Sequence, residues 1–269
     1  ISRTKTQLQS FELARTTIHP IGSGLGNSSP FMTTTFLHTA DWQLGKAFGG
    51  ISDLDNQAIV RRERIRVLVR LGELAEENGC DFIVVAGDLF DSFVPKADTV
   101  VRAFEAIAAM EIPVVAIPGN HDHGGTGGPW KQDFILRQAK ELAPNFTILL
   151  ESEPYLELPE AVLLPCPLLT RQTVNDPTGW LREGASHWSD LPDKPRIVLA
   201  HGSVQGFGGM DGDDESRENR TANLIDVPRL PRDEFDYLAL GDWHGTKKID
   251  DKTWYSGAPE TDRFPRGAE

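Results

Sequence analysis

The sequence predicts an α/β domain whose sheets lie largely buried beneath helices. Three observations predict it. Short apolar runs of strand length alternate with longer stretches of helical periodicity. Each of five such runs is followed at once by polar residues or Gly. Finally, 39% apolar and 8% aromatic residues in a chain of 269 are enough to bury a sizeable core.

The elements follow in order. Thr33 to Ala40, apolar from Phe36, reads as the first strand. A helix is predicted over about 55–78, because Val60, Val67, Leu71 and Leu74 recur at helical spacing and Gly79 can close it. Phe82 to Ala86 reads as the second strand, 96–110 as the second helix, Val114 to Ile117 as the third strand and 131–142 as the third helix. Phe146 to Leu150 and Val162 to Leu164 read as further strands, flanked by Pro144, Pro154, Pro165 and Pro167. Ile197 to Ala200, Tyr237 to Leu240 and Trp254 to Ser256 complete the strand set. No internal repeat is present.

The ends of the chain differ from this body. Residues 1–31 hold 12 Ser, Thr or Gly and carry a net charge of +2, which leaves −15 on the remaining 238. They read as an extension or tag outside the fold, and 32–269 as the domain. Within them Gly22-Ser23-Gly24-Leu25-Gly26 lacks the strand and helix that a dinucleotide-binding loop requires. Arg263 to Glu269 has no capped helix, so the chain reads as a fragment.

Composition excludes several function classes. No apolar run reaches the roughly 18 residues of a membrane-spanning helix, so no membrane partner is expected. Two cysteines, Cys80 and Cys166, supply neither a disulfide framework nor a four-cysteine zinc site, and they fit a reducing cytoplasm. The net charge of −13 argues against a grip on DNA by bulk positive charge.

In an α/β sheet, functional groups collect where strands end. Here the strand ends deliver Asp41 and Gln43, then Asp88, then Asn120, His121 and Asp122, then His201, then Asp242 and His244. Carboxylates, amide oxygens and imidazoles are ligands of divalent manganese, iron, zinc or magnesium. One ion takes about four to six ligands, so this set points to two ions. Two ions roughly 3.5–4 Å apart suit in-line attack on a phosphoester.

The blocks Asp-x-Gln, Gly-Asp-x-x-Asp, Gly-Asn-His-Asp, His-Gly-Ser and Gly-Asp-x-His resemble the five signatures of the calcineurin-like metallophosphoesterases. The wording of His38 to Gly45, Gly87 to Asp91 and Tyr255 to Glu260 is most similar to the DNA-repair exonuclease branch, the SbcD-type nucleases. The resemblance implies a two-sheet sandwich flanked by helices, a four-layer αββα arrangement. It implies a two-metal phosphodiesterase acting on DNA ends or single strands, with a coiled-coil ATPase and a second copy of the chain as partners, and a C-terminal capping region that this chain lacks. One ion would take Asp41, Gln43, Asp88 and His244; the other Asp88, Asn120, His201 and Asp242, with Asp88 as the bridge. His121 would protonate the leaving oxygen, with Asp122 orienting its ring.

Two departures mark this chain. The family usually has His at the positions of Gln43 and Asp242, and both replacements keep an oxygen donor. A donor set this rich in oxygen favours manganese over zinc. Two other functions stay open: a phosphodiesterase for small nucleotides, which the acidic body tolerates better, and a degenerate phosphoesterase used as a protein-binding scaffold.

Other residues carry blander readings. His19, His38, His123 and His187 read as structural or surface residues, and Asp91 as a loop-holding group. Gly124 to Gly128 reads as a flexible loop, and Asp211 to Glu215 as a solvated acidic loop. Arg62, Arg66 and Arg70 form a helical stripe expected to pair with Glu63, Glu73 and Glu77. Lys46, Lys247 and Lys248 adjoin the metal motifs and are candidate substrate contacts.

Overall fold

A computed structural model describes residues 13–17, 33–152, 155–183, 188–204 and 222–260. Its architecture is the predicted α/β sandwich. The first sheet has the order β1-β2-β3-β4-β5, formed by Leu13–Thr17, Thr33–Thr39, Phe82–Ala86, Val114–Ile117 and Phe146–Ile148. β2 to β5 are parallel and β1 pairs antiparallel with β2. The second sheet contains β6 (Leu156–Glu157), β7 (Val162–Cys166), β8 (Arg196–His201), β11 (Tyr237–Gly241), β12 (Lys247–Asp250) and β13 (Thr253–Tyr255). Its order is β12-β13-β11-β8-β7-β6, with parallel pairing at the centre and antiparallel pairing at both edges. Between them in sequence, β9 (Ser203–Val204) and β10 (Leu224–Ile225) form a small parallel pair.

Alternation along each strand sorts the layers. Phe36, Phe82, Val84 and Val115 of the first sheet face Leu163, Ile197, Leu199, Tyr237 and Ala239 of the second. The opposite residues, Leu37, Ile83, Val85, Val114 and Ala116, pack under α1 (Leu54–Glu77), α2 (Ala97–Ala108) and α3 (Asp133–Leu142). The outer face of the second sheet is covered by α4 (Trp180–Glu183), Trp188 and Phe235. Asp53 caps α1 by accepting a bond from the amide of Asn56 at 2.8 Å.

Some expectations meet a different outcome. Of residues 1–31, placed outside the fold by composition, Leu13–Thr17 forms the edge strand β1. The run Gly124 to Gly128 is a packed turn and not an open loop. The amide of Gly124 donates to Leu168 O at 2.8 Å, and a Cβ on Gly125 would collide with the carbonyl of Leu169. Arg66 and Arg70 do pair with Glu63, Glu73 and Glu77. The Gly22 to Gly26 run, His19, His187, the Asp211 to Glu215 loop and the terminal tail lie outside the described residues.

Candidate metal centre

Both sheets end at one edge of the sandwich, and there the predicted residues meet. β2 delivers Asp41 and Gln43, β3 delivers Asp88, β4 delivers Asn120 to Asp122, β8 delivers His201, and β11 leads to Asp242 and His244. The backbone is held in an unusual form at four of them. Asp41, Gln43, Asp88 and Asp242 have φ of 55°, 43°, 56° and 102°. This left-handed region is uncommon for residues other than Gly. Asp41 N donates to Gly87 O at 3.1 Å and Gln43 N to Asp88 O at 2.9 Å, which locks the two loops together. Gly119 is required because a Cβ there would collide with the Asp88 carboxylate.

Donor atoms of Asp41, Asp88 and His201 lie within 4.8 Å of one another, and all three residues are buried. His201 reaches across from the second sheet, and its Nδ1 donates to the carbonyl of Ala86 at 2.8 Å. A carbonyl only accepts, so this bond assigns the proton to Nδ1 and leaves Nε2 to act as a ligand. Nε2 sits 3.6 Å from Asp88 Oδ2 and 3.9 Å from Asp242 Oδ1. It is buried and has no hydrogen-bond partner among the described residues, and the same holds for Asn120 Oδ1. Asp242 closes the group: its amide approaches both carboxylate oxygens of Asp41 at 3.2 and 3.3 Å, and its Oδ2 accepts from Ser203 Oγ at 2.8 Å.

The electrostatics match. Burial pushes the Asp88 carboxyl up to about 7; His201 opposes that rise, and Asp41 adds to it. Asp41 is raised as well, chiefly by burial. Burial would lower His201, but the carboxylates of Asp88, Asp41 and Asp242 together outweigh it and hold it at about 9. Clustered buried acids around one imidazole, with two buried polar atoms that lack a hydrogen-bond partner among the described residues, are the pattern that a divalent cation satisfies, the cation taking the place of the imidazole's second proton. The residues fit a metal ion.

The remaining expected ligands are arranged differently. Gln43 is 2% exposed, and both ends of its amide are engaged. Its Oε1 accepts from Lys46 Nζ at 2.6 Å, and its Nε2 lies 3.2 Å from His244 Nε2. His244 Nε2 is 4.0 Å from Asp41 Oδ1. Lys46, expected to touch substrate, is therefore joined to a predicted ligand.

His121 stands beside the acids, its amide donating to Asp88 Oδ1 at 2.9 Å. The expectation that Asp122 orients its ring is corrected. Asp122 accepts three backbone amides, from Gly119 at 2.8 Å, Leu89 at 2.9 Å and Phe90 at 3.1 Å. It is fully buried in that work, and burial pushes its carboxyl up to about 7. The residue facing His121 is Asp91, with its carboxylate 3.6 Å and its carbonyl 3.4 Å from Nδ1. The two acids exchange the roles that sequence assigned them. Nothing in the spacing separates them, since both follow a strand in a Gly-containing block. Ser203 was also missed, although it stands two residues after His201.

Lys247 and Lys248, consecutive on β12, each lie over an indole, Trp243 and Trp254, at 5.3 Å, and Lys248 also pairs with Asp251 at 2.7 Å. Of the histidines read as structural, His38 is buried against Tyr237 and His123 packs on Phe93. Cys80 and Cys166 are both buried. Among the described residues, no helix is long and apolar enough to cross a membrane.

Residues 34–246 match the family model described as calcineurin-like phosphoesterase. Among solved structures, the chain is similar to TT1561 of Thermus thermophilus, at 15% identity over 72% of this chain and 84% of that one, with a TM-score of 0.46. It is also similar to the nuclease MPE of Pseudomonas putida, at 16% identity over 61% of this chain and 59% of that one, with a TM-score of 0.29.

Proposed function

The chain belongs to the calcineurin-like phosphoesterase family, and from that premise we propose that it is a manganese-dependent phosphodiesterase acting on DNA, of the SbcD type. The observation that carries the hydrolytic reading is the buried group of Asp41, Asp88 and His201, with Nε2 of His201 and Oδ1 of Asn120 buried and lacking a hydrogen-bond partner among the described residues. Lewis-acid charge and water activation are what a divalent cation supplies when bound there. The protein's own part is orientation and proton handling. Asp88 fixes the backbone of His121, and Asp91 steadies Nδ1 of its ring. The imidazolium then hands a proton from Nε2 to the departing oxygen.

The DNA reading rests on the sequence resemblance of His38 to Gly45 and Tyr255 to Glu260. A partner ATPase and a second copy of the chain would supply the DNA grip that an acidic chain lacks. The charge of −13 favours a second reading, a phosphodiesterase for small nucleotides. Hydrolysis of bis-p-nitrophenyl phosphate with manganese tests the hydrolase itself. Degradation of end-labelled single- and double-stranded DNA, set against cyclic dinucleotides, tests the substrate. Loss of the DNA end label is the expected result, and turnover of the cyclic dinucleotides alone would replace the first reading by the second.

A further inference from the structure

The donor set divides into two unlike halves. In one, Asp41, Asp88 and His201 bring their ligand atoms within 4.8 Å, and the imidazole nitrogen among them is already oriented by Ala86 O. In the other, the donors are spent on one another. Lys46 is an ammonium with no accepting atom, so the amide of Gln43 must present Oε1 to it. That choice sends the Nε2 donor toward His244, whose facing Nε2 must then accept. The oxygen of Gln43 and the nitrogen of His244 are thus both engaged. An ammonium 2.6 Å from the only oxygen of a neutral amide also opposes any divalent cation on that oxygen.

We propose that this chain has one built divalent-cation site, made by Asp41, Asp88, Asn120 and His201, and that Lys46, held by Gln43, supplies the positive charge at the place of a second cation. The inference rests on the metal-dependent reading above and sharpens it. An ammonium there offers a phosphoryl oxygen charge and hydrogen bonds without needing ligands of its own. It also gives the Gln a reason: a histidine at position 43 offers no carbonyl oxygen for Lys46 to bond.

The test is equilibrium binding of Mn2+ to the full chain, followed by calorimetry and by electron paramagnetic resonance of the bound ion. Wild type should take up one tight ion per chain, with any second ion at least about tenfold weaker, and should lack the spin-coupled signal of a pair. Lys46→Met should gain a second ion at affinity close to the first, while Lys46→Arg should stay at one. Lys46→Gln serves the same purpose if the Met variant folds poorly. Two ions of equal affinity in wild type, or no gain in either neutral variant, would overturn the proposal. Absence of any tight ion in wild type, or an unaltered tight ion in His201→Ala, would overturn the metal-site reading itself.

Discussion

Asp91 and Asp122 show how much a single carboxylate's neighbours decide. Both lie in glycine-containing strand-end blocks, and both adjoin the predicted acid His121 in space or in sequence. Three backbone amides fall on Asp122 and the imidazole falls on Asp91. Asp122→Asn should therefore act on stability. Each buried amide left without an acceptor costs about 1–3 kcal/mol, so a fall of several degrees in Tm is expected. Asp91→Asn should leave Tm and bound manganese unchanged while lowering turnover by about tenfold or more. A stable but inactive Asp122→Asn beside an active Asp91→Asn would return the positioning role to Asp122. The sequence made the identities of the site residues legible because strand ends concentrate them. It left their pairings open, since side-chain direction depends on the loop backbone. Lys46 is the clearest case, adjacent to a motif yet bonded to Gln43 for a reason visible only in space.

At the scale of elements, strands buried on both faces were legible, as was the edge strand β5, while the edge strands β1, β6 and β12 and the short β9 and β10 were not. β3, β4, β8 and β11 are continuous apolar runs because helices or a second sheet cover each side. β12 contains Lys247, Lys248 and Asp250, and β9 and β10 are two residues each, too short to show a period. The inward face of β2 holds one titratable residue, His38. Its ring meets Tyr237 of β11 edge-on, with Nδ1 3.1 Å from the phenol oxygen. Burial pushes this imidazole down to about 3 from its ordinary 6.5. Above about pH 6.5 the ring is neutral both folded and unfolded and adds nothing. As pH falls from there toward 3, the unfolded chain takes a proton that the fold refuses. Stability should then drop by roughly 1.4 kcal/mol for each pH unit. Urea unfolding between pH 7 and 5 should show a steeper loss for wild type than for His38→Asn. Equal slopes would mean that the ring does not lie buried and neutral between the sheets.

At the scale of the molecule, the loops of the two large sheets converge on one point. His201 comes from the second sheet and bonds the first through Ala86, while Asp41 and Asp88 come from the first. A cation held by all three ties the layers together, and whatever binds only the folded chain stabilises it. Manganese at 100 times its dissociation constant should add about 2.7 kcal/mol, a rise of several degrees in Tm at this size. Chelation should reverse the rise and His201→Ala should abolish it. A Tm indifferent to manganese in wild type would show that the donors do not close on an ion.

Asp41 and His201 offer ligand atoms to the same ion although 160 positions separate them along the chain (201 − 41). The ion-binding geometry therefore comes into being only after that long loop has closed. The ion arrives too late to template folding and acts as a latch on a finished structure. Its influence falls on the rate at which the chain comes apart, while the rate at which it assembles is set without it.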